Sequence, residues 1–146
     1  EARKAISIEK NPQNLIPIVM ETACSLRDKV SVYGNDYSTK DGTGIRDYIH
    51  VSDLAQAHIY ALDYLLEKKT NVIVNLGTES GYSVLEIINM TSTITRQEIE
   101  YNIVGRRKGD TSSLIADSSL ANQLLNWKAK YSDLKTIIES TWGVYN

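Results

Sequence analysis

A single cysteine, Cys24, stands among the 146 residues of this chain, so no internal disulfide can form and the protein suits a reducing compartment. Only two histidines, His50 and His58, accompany it, and together these three side chains fall short of the four ligands of a structural zinc site. Cys24 reads as a small buried residue on a helix and the histidines as packing residues, and neither histidine has an adjacent Ser or Cys that would suggest a nucleophile. No metal site is expected. No apolar run approaches the ~18 residues that a membrane span requires, which gives the expectation of a soluble, cytoplasmic protein with no membrane partner. Excess positive charge is also missing: the formal net charge is −2. Binding to nucleic acid rests on clustered positive charge, so that function class is excluded and any anionic ligand must be held by a few local arginines.

Cofactor cradles are absent too. Gly42-Thr43-Gly44 opens like a dinucleotide fingerprint, but its third glycine is replaced by Asp47, and no phosphate-binding glycine loop followed by Lys and Ser/Thr occurs. Two Tyr-x-x-x-Lys pairs, Tyr64 with Lys68 and Tyr131 with Lys135, read as coincidental neighbours on helix faces. The chain opens on Glu1-Ala2-Arg3, with neither an initiator Met nor a signal peptide. That looks like mid-chain material, as in a piece of something larger.

What is present describes one globular α/β domain over residues 1–146. Hydrophobic content of 42% and charged content of 23% are close to globular averages. Residues 1–13 are polar and aperiodic and read as a connecting segment. Leu15, Ile18, Val19, Ala23 and Leu26 recur at helical spacing and predict a helix over 16–28. Val30 to Tyr33 alternates as a strand, ended by Gly34 before a polar loop from Asn35 to Gly44. A short β-rich run over Ile45–Val51 follows, then a helix that Ser52 would cap and that ends near Lys68. Val72 to Leu76 predicts a strand buried on both faces. Ser83 with Glu86 forms a capping-box signature for a helix to about Thr95, Ile99–Val104 predicts another strand, and helices over 118–126 and 133–143, the second capped by Ser132, close the chain. Alternating helices and short strands indicate an α/β fold.

Arg46 and the cluster Arg106-Arg107-Lys108 are the candidate ligand holders, because a guanidinium stays charged and can grip two phosphate oxygens at once. From the residues alone Arg46 could equally pair with neighbouring acids, the cluster could be a solvated loop, and Asp110 after Gly109 could be a turn former.

The stretch Tyr33-Gly34-Asn35-Asp36-Tyr37, then Asp41-Gly42-Thr43-Gly44-Ile45-Arg46-Asp47-Tyr48-Ile49-His50-Val51 and Asp53-Leu54-Ala55-Gln56-Ala57-His58, strongly resembles the UDP-glucose 4-epimerase family of extended short-chain dehydrogenases/reductases. The likeness continues through Asn14-Leu15-Ile16-Pro17, Asn75-Leu76-Gly77, Gly81-Tyr82-Ser83-Val84, Arg106 to Asp110, and Leu125-Asn126-Trp127. It covers nearly the whole chain but corresponds only to the C-terminal, substrate-binding region of the family, without the N-terminal Rossmann half.

The resemblance implies that the missing half would bind NAD and supply the catalytic Ser or Thr and the Tyr-x-x-x-Lys pair, so no catalytic or cofactor-binding residue is expected here. It also implies roles for matching positions. Asn14 and Leu15 would meet the diphosphate. Ser31, Val32 and Tyr33 would lie along the uracil, with Tyr33 packing on its ring. Arg46 and Arg107 would clamp the diphosphate, and Asp110 would take ribose hydroxyls. Leu114 falls where the family varies between a bulky aromatic and small residues, which leaves acceptance of N-acetylated hexosamines open.

The activity implied is interconversion of UDP-galactose and UDP-glucose through a 4-keto sugar, by a full-length homodimer in galactose metabolism, with the isolated chain inactive. A sugar that must turn over cannot be held tightly, so anchoring by the remote UDP is physically reasonable. The alternatives are a non-catalytic UDP-sugar-binding module, part of a related nucleotide-sugar decarboxylase or dehydratase, or a partly unfolded remnant.

Overall fold

The computed structural model describes Ile8 and residues 10–146. The expected connecting segment, 1–13, therefore lies largely outside the described residues.

Two sheets and two cores organise the chain. β1 (Val30–Tyr33) pairs in parallel with β4 (Tyr101–Val104), Val30 opposite Tyr101 and Tyr33 opposite Val104. Over the core face of this pair pack three helices: α1 (Leu15–Ala23), α3 (Val84–Thr95) and α5 (Leu134–Tyr145). Val19, Met20, Val30, Val32, Ile87, Ile88 and Ile138 form the centre of this core. The second sheet has the order β3-β2-β5, in which β2 (Ile45–Arg46) runs antiparallel to β3 (Tyr82–Ser83) and parallel to β5 (Ser113–Leu114). Beside it, α2 (Val51–Lys68) and α4 (Ser119–Leu125) close a smaller core around Ala57, Ala121, Leu125 and Trp127.

Local chemistry sets the helix ends. α3 carries the expected capping box: the Glu86 amide donates to Ser83 Oγ at 3.1 Å and the Ser83 amide donates to Glu86 Oε2 at 2.8 Å. α1 stops at Ala23 rather than near 28, because Ser25 turns left-handed at φ 57°, and Leu26 is left outside the helix with 70% exposure. Cys24 sits at that helix end, half-buried, and burial raises its thiol pKa.

Further expectations are corrected. The β-rich run over Ile45–Val51 is a strand only at Ile45–Arg46, since its partners β3 and β5 are themselves two residues long. The α2 cap is His50 and not Ser52: His50 Nδ1 accepts from the Ser52 amide at 3.0 Å. α5 is capped by Asp133, which accepts from the Thr136 amide at 2.9 Å, while Ser132 turns inward to donate to Asp53 at 2.6 Å. Residues 72–76 form no strand among the described residues; the segment alternates, Val74 and Leu76 packing on the second core while Ile73 is 92% exposed. A strand needs a neighbour for its backbone groups, and none of the described strands lies beside this one.

α2 has two apolar faces. Ala57, Tyr60, Ala61 and Tyr64 face α4 and Trp127, whereas Val51, Leu54, Ile59, Leu62, Leu65 and Leu66 are exposed along the flank and back of the helix. His58 lies on the open side, exposed, so it is not the packing residue expected. His50 is buried, and its Nε2 lies 3.0 Å from Ser140 Oγ on α5. Among the described residues no helix is long and apolar enough to cross a membrane.

Candidate functional site

The turn after β4 builds the centre of the site. Gly109 takes φ +90°, which allows the Asp110 amide to donate back to the Arg107 carbonyl at 3.2 Å. Arg107 and Asp110 are thereby set side by side, with Arg107 Nε 3.0 Å from Asp110 Oδ2. β2 brings Arg46 to the other carboxylate oxygen: its Nη2 lies 3.6 Å from Asp110 Oδ1, while Nη1 donates to the carbonyls of Ile45 at 2.7 Å and Thr111 at 3.0 Å. Those carbonyls fix the guanidinium and leave its Nη2 edge to the carboxylate. The Arg107 guanidinium also lies 4.5 Å from the ring centre of Tyr33 at the end of β1. Two arginines, one carboxylate and one aromatic face thus meet across three strands that are distant in sequence.

These groups line an open cavity of about 1430 Å³, which Asn14, Leu15 and Ser31 also border. Of the residues singled out in the sequence for ligand contact, seven therefore share one cavity: Asn14, Leu15, Ser31, Tyr33, Arg46, Arg107 and Asp110. Arg106, Lys108, Val32 and Leu114 do not line it. The Val32 side chain points into the core, as strand alternation requires of a residue between Ser31 and Tyr33. Leu114 stands on β5 opposite Arg46, 64% exposed and outside the cavity lining.

Three tyrosines that were not singled out also line the cavity, Tyr37, Tyr48 and Tyr145. Tyr48 packs on the first core, and burial pushes its phenol up to about 12, with Arg46 pulling weakly the other way. The alternation Arg46-x-Tyr48 is the signal that could have placed it on one face with the arginine. Tyr37 lies in the loop after β1, under the Arg106 guanidinium, which is 4.0 Å from its ring centre. Arg106 pairs with Asp36, Nε to Oδ1 at 2.6 Å, and that hydrogen bond lowers the Asp36 pKa and raises that of Arg106. Of the two adjacent arginines, Arg106 braces the loop and Arg107 faces the cavity.

The loop itself is pinned by Asp41. Its Oδ1 accepts from the Thr43 amide at 2.9 Å and the Thr43 hydroxyl at 2.8 Å, and its Oδ2 from the Ser83 hydroxyl at the start of α3. Burial pushes this carboxyl upward, but the hydrogen bonds from Ser83 and Thr43 outweigh it and hold the pKa below its ordinary value. Asp47 ties the end of β2 to two other loops, accepting from the Thr78 hydroxyl at 2.7 Å and the Ala116 amide at 3.3 Å.

The glycine pair in this loop is packed against the protein's own atoms. A Cβ on Gly42 would lie 2.1 Å from the Asn35 carbonyl oxygen, and one on Gly44 would lie 3.3 Å from Arg46 Nη1. Both glycines make room for the protein's own chain. The described residues contain no group of three or more His, Cys, Asp and Glu side chains arranged to hold a metal ion.

Comparison with known proteins identifies the family. A family model described as GDP-mannose 4,6 dehydratase matches residues 5–141. A UDP-glucose 4-epimerase of Lacticaseibacillus casei is 44% identical over 140 residues, which is 95% of this chain and 42% of that protein. The crystal structure of UDP-glucose-4-epimerase from Stenotrophomonas maltophila, with bound NAD and formylated UDP-arabinopyranose, superposes with a TM-score of 0.89 at 43% identity, covering 94% of this chain and 40% of that one. A second epimerase structure, from Bifidobacterium longum in complex with NAD+ and UDP, gives a TM-score of 0.83 at 39% identity, covering 95% of this chain and 40% of that one. The chain spans about 42% of the Lacticaseibacillus relative's length. It belongs to the GDP-mannose 4,6 dehydratase family, and its α/β fold is homologous to the C-terminal part of UDP-glucose 4-epimerases.

Proposed function

We propose that residues 1–146 are the UDP-sugar-holding part of a UDP-glucose 4-epimerase that interconverts UDP-galactose and UDP-glucose. The observation that carries this reading is the convergence of Arg46 and Arg107 on one side of a large cavity, beside the ring of Tyr33. Two guanidiniums suit a diphosphate, and an adjacent aromatic ring suits a pyrimidine. Asp110 would exchange its arginine partners for the ribose hydroxyls when the diphosphate arrives. Asn14, Leu15 and Ser31 border the same cavity and would complete the nucleotide contacts, with the Val32 backbone alongside the base. Leu114 would act on sugar size only from outside the present lining.

Gly42 and Gly44 make room for the protein's own chain, which supports a dinucleotide held elsewhere in the enzyme. In this reading the dinucleotide and the catalytic Ser, Tyr and Lys belong to the part of the epimerase outside these residues. The exposed apolar residues of α2 and the unpaired segment 72–76 support a further layer packed over them, which a free-standing binding module would not need. That layer would also carry the homodimer contacts of a cytoplasmic enzyme of galactose metabolism.

Titration of the 146-residue chain with UDP tests the reading. Binding is expected, with a loss of roughly 10-fold or more on Arg46→Ala or Arg107→Ala, since charge-assisted hydrogen bonds contribute about 1.5–3 kcal/mol each. Supplied with NAD and UDP-galactose, the chain alone is expected to make no UDP-glucose above a heat-treated control. Failure to bind UDP would refute the proposal.

A further inference from the structure

The strands that hold Arg46, β2 and β5, are each only two residues long. So short a pair has few ladder bonds, and it is extended at both ends: the Ile45 amide donates to the Ser112 carbonyl at 2.9 Å and the Asp47 amide to the Leu114 carbonyl at 3.2 Å. These bonds reach beyond the sheet, because the Arg46 guanidinium is fixed through Nη1 on the carbonyl of Thr111 at 3.0 Å. Asp110, which faces its Nη2, is the residue before Thr111. The place of the guanidinium therefore depends on how the segment 110–116 lies against β2.

Asp47 holds that segment from its other end. Its Oδ2 accepts from the Ala116 amide at 3.3 Å, and its two oxygens share the Thr78 amide at 3.1 and 3.0 Å. The Thr78 hydroxyl donates to Oδ1 at 2.7 Å. The backbone makes room for this contact: a Cβ on Gly77 would lie 2.5 Å from Asp47 Oδ2 and 2.7 Å from the Ala116 Cβ. Arg46 takes its ion pair with Asp110 and not with the adjacent Asp47, since successive residues of an extended chain point to opposite faces. Hydrogen bonds to an ionised group are the stronger kind, so this carboxylate is a firm clamp.

We infer that Asp47 is a positioning residue for the diphosphate: its carboxylate clamps the Ala116 end of the segment whose Thr111 end fixes the Arg46 guanidinium. The inference rests on the proposed function and deepens it by naming what keeps Arg46 in place. Asp47 also borders the cavity, but its carboxylate is occupied by Thr78 and Ala116, and an anionic diphosphate gains nothing from a second anion. It acts through Arg46.

A double-mutant cycle tests this, with calorimetric titration of UDP into the unsubstituted 146-residue chain, Arg46→Ala, Asp47→Asn and the double variant. Asparagine keeps the side chain's size but replaces one acceptor oxygen by an amide group that cannot accept from Thr78 or Ala116. Removal of the negative charge alone would strengthen the binding of an anion, so weakening reports the lost clamp. Asp47→Asn should weaken UDP binding by roughly 2–10-fold, the loss of one hydrogen bond's contribution. In the Arg46→Ala background it should leave the affinity unchanged or raised, because no guanidinium remains to be positioned. Thr78→Val, which removes one donor and leaves the carboxylate and its charge in place, should follow the same pattern with a smaller loss, and it takes the place of Asp47→Asn in the cycle if that chain does not fold. An equal loss in both backgrounds would overturn the inference, since a carboxylate that shapes the fold at large, or meets the ligand itself, acts whether or not Arg46 is present. Unchanged affinity in the parent background would also overturn it and leave the functional reading intact. Absence of UDP binding by the unsubstituted chain would overturn both.

Discussion

Replacement of Asp110 by alanine should change the affinities for two ligands in opposite directions. In the unliganded chain this carboxylate lies 3.6 Å from Arg46 Nη2 and 3.0 Å from Arg107 Nε. Bare charges about 4 Å apart near a protein surface attract by ~4 kcal/mol, but exposed pairs deliver only about 0–1 kcal/mol after solvation and side-chain entropy are counted. All three side chains are partly exposed, so the lower figure applies. Asp110→Ala therefore frees the arginines at a gain of up to about 1 kcal/mol, and inorganic pyrophosphate should bind up to about fivefold more tightly. UDP gains the same relief but loses the carboxylate that would accept from its ribose hydroxyls, and hydrogen bonds to a charged group contribute about 1.5–3 kcal/mol. The net result should be UDP binding weaker by roughly 2–150-fold. Calorimetric titration of both ligands at one fixed ionic strength, on both chains, reads the two signs. UDP binding tightened in parallel with pyrophosphate would refute the ribose role and leave Asp110 a resident counter-ion. Pyrophosphate binding weakened would show instead that the carboxylate is needed to position the arginines.

Two further outcomes are expected. Gly42→Ala places a side chain at φ +80° and 2.1 Å from the Asn35 carbonyl oxygen, so denaturant unfolding should show a loss of at least ~1–2 kcal/mol, accompanied by weaker UDP binding as the loop shifts. Tyr48, with its phenol raised to about 12 by burial, binds its proton more tightly folded than unfolded. Its contribution to stability is complete below the unfolded value near ~10 and is lost as pH rises from there towards its folded value. Chemical denaturation of the parent and Tyr48→Phe chains should therefore show the parent losing stability more steeply above about pH 10, and identical slopes would refute the assignment.

Legibility in the sequence followed the range of the interactions. The α3 capping box was readable because Ser83 and Glu86 satisfy each other within one turn. β1 was readable because its alternation and Gly34 are local. The α2 start was misread because Ser52 is the better capping type, whereas His50 is held there from far along the chain: its amide donates to Ser132 Oγ at 2.9 Å and its Nε2 meets Ser140. Residues 72–76 carry strand composition, but pairing depends on a neighbour that composition cannot show. At the site, Arg46, Arg107 and Asp110 were visible as candidates from residue type and from the family resemblance. That Arg107 rather than Arg106 faces the cavity was set by the Gly109 turn and by Asp36. Tyr37 was hidden because a loop tyrosine is buried only by the later arrival of Arg106 and by the missing side chain at Gly34.

The two-faced build of α2 has a consequence for how the chain unfolds. The denaturant slope of a folding transition, and its heat-capacity change, scale with the surface newly exposed to solvent. The exposed apolar residues between Val51 and Leu66 are already in contact with water when the 146-residue chain is native, as is Ile73. These residues add apolar content to the chain while adding less to the surface change on melting than buried ones would. Unfolding should thus be less sensitive to urea, and the stability curve flatter with temperature, than a 146-residue globular chain normally shows, until a second layer covers that side of α2.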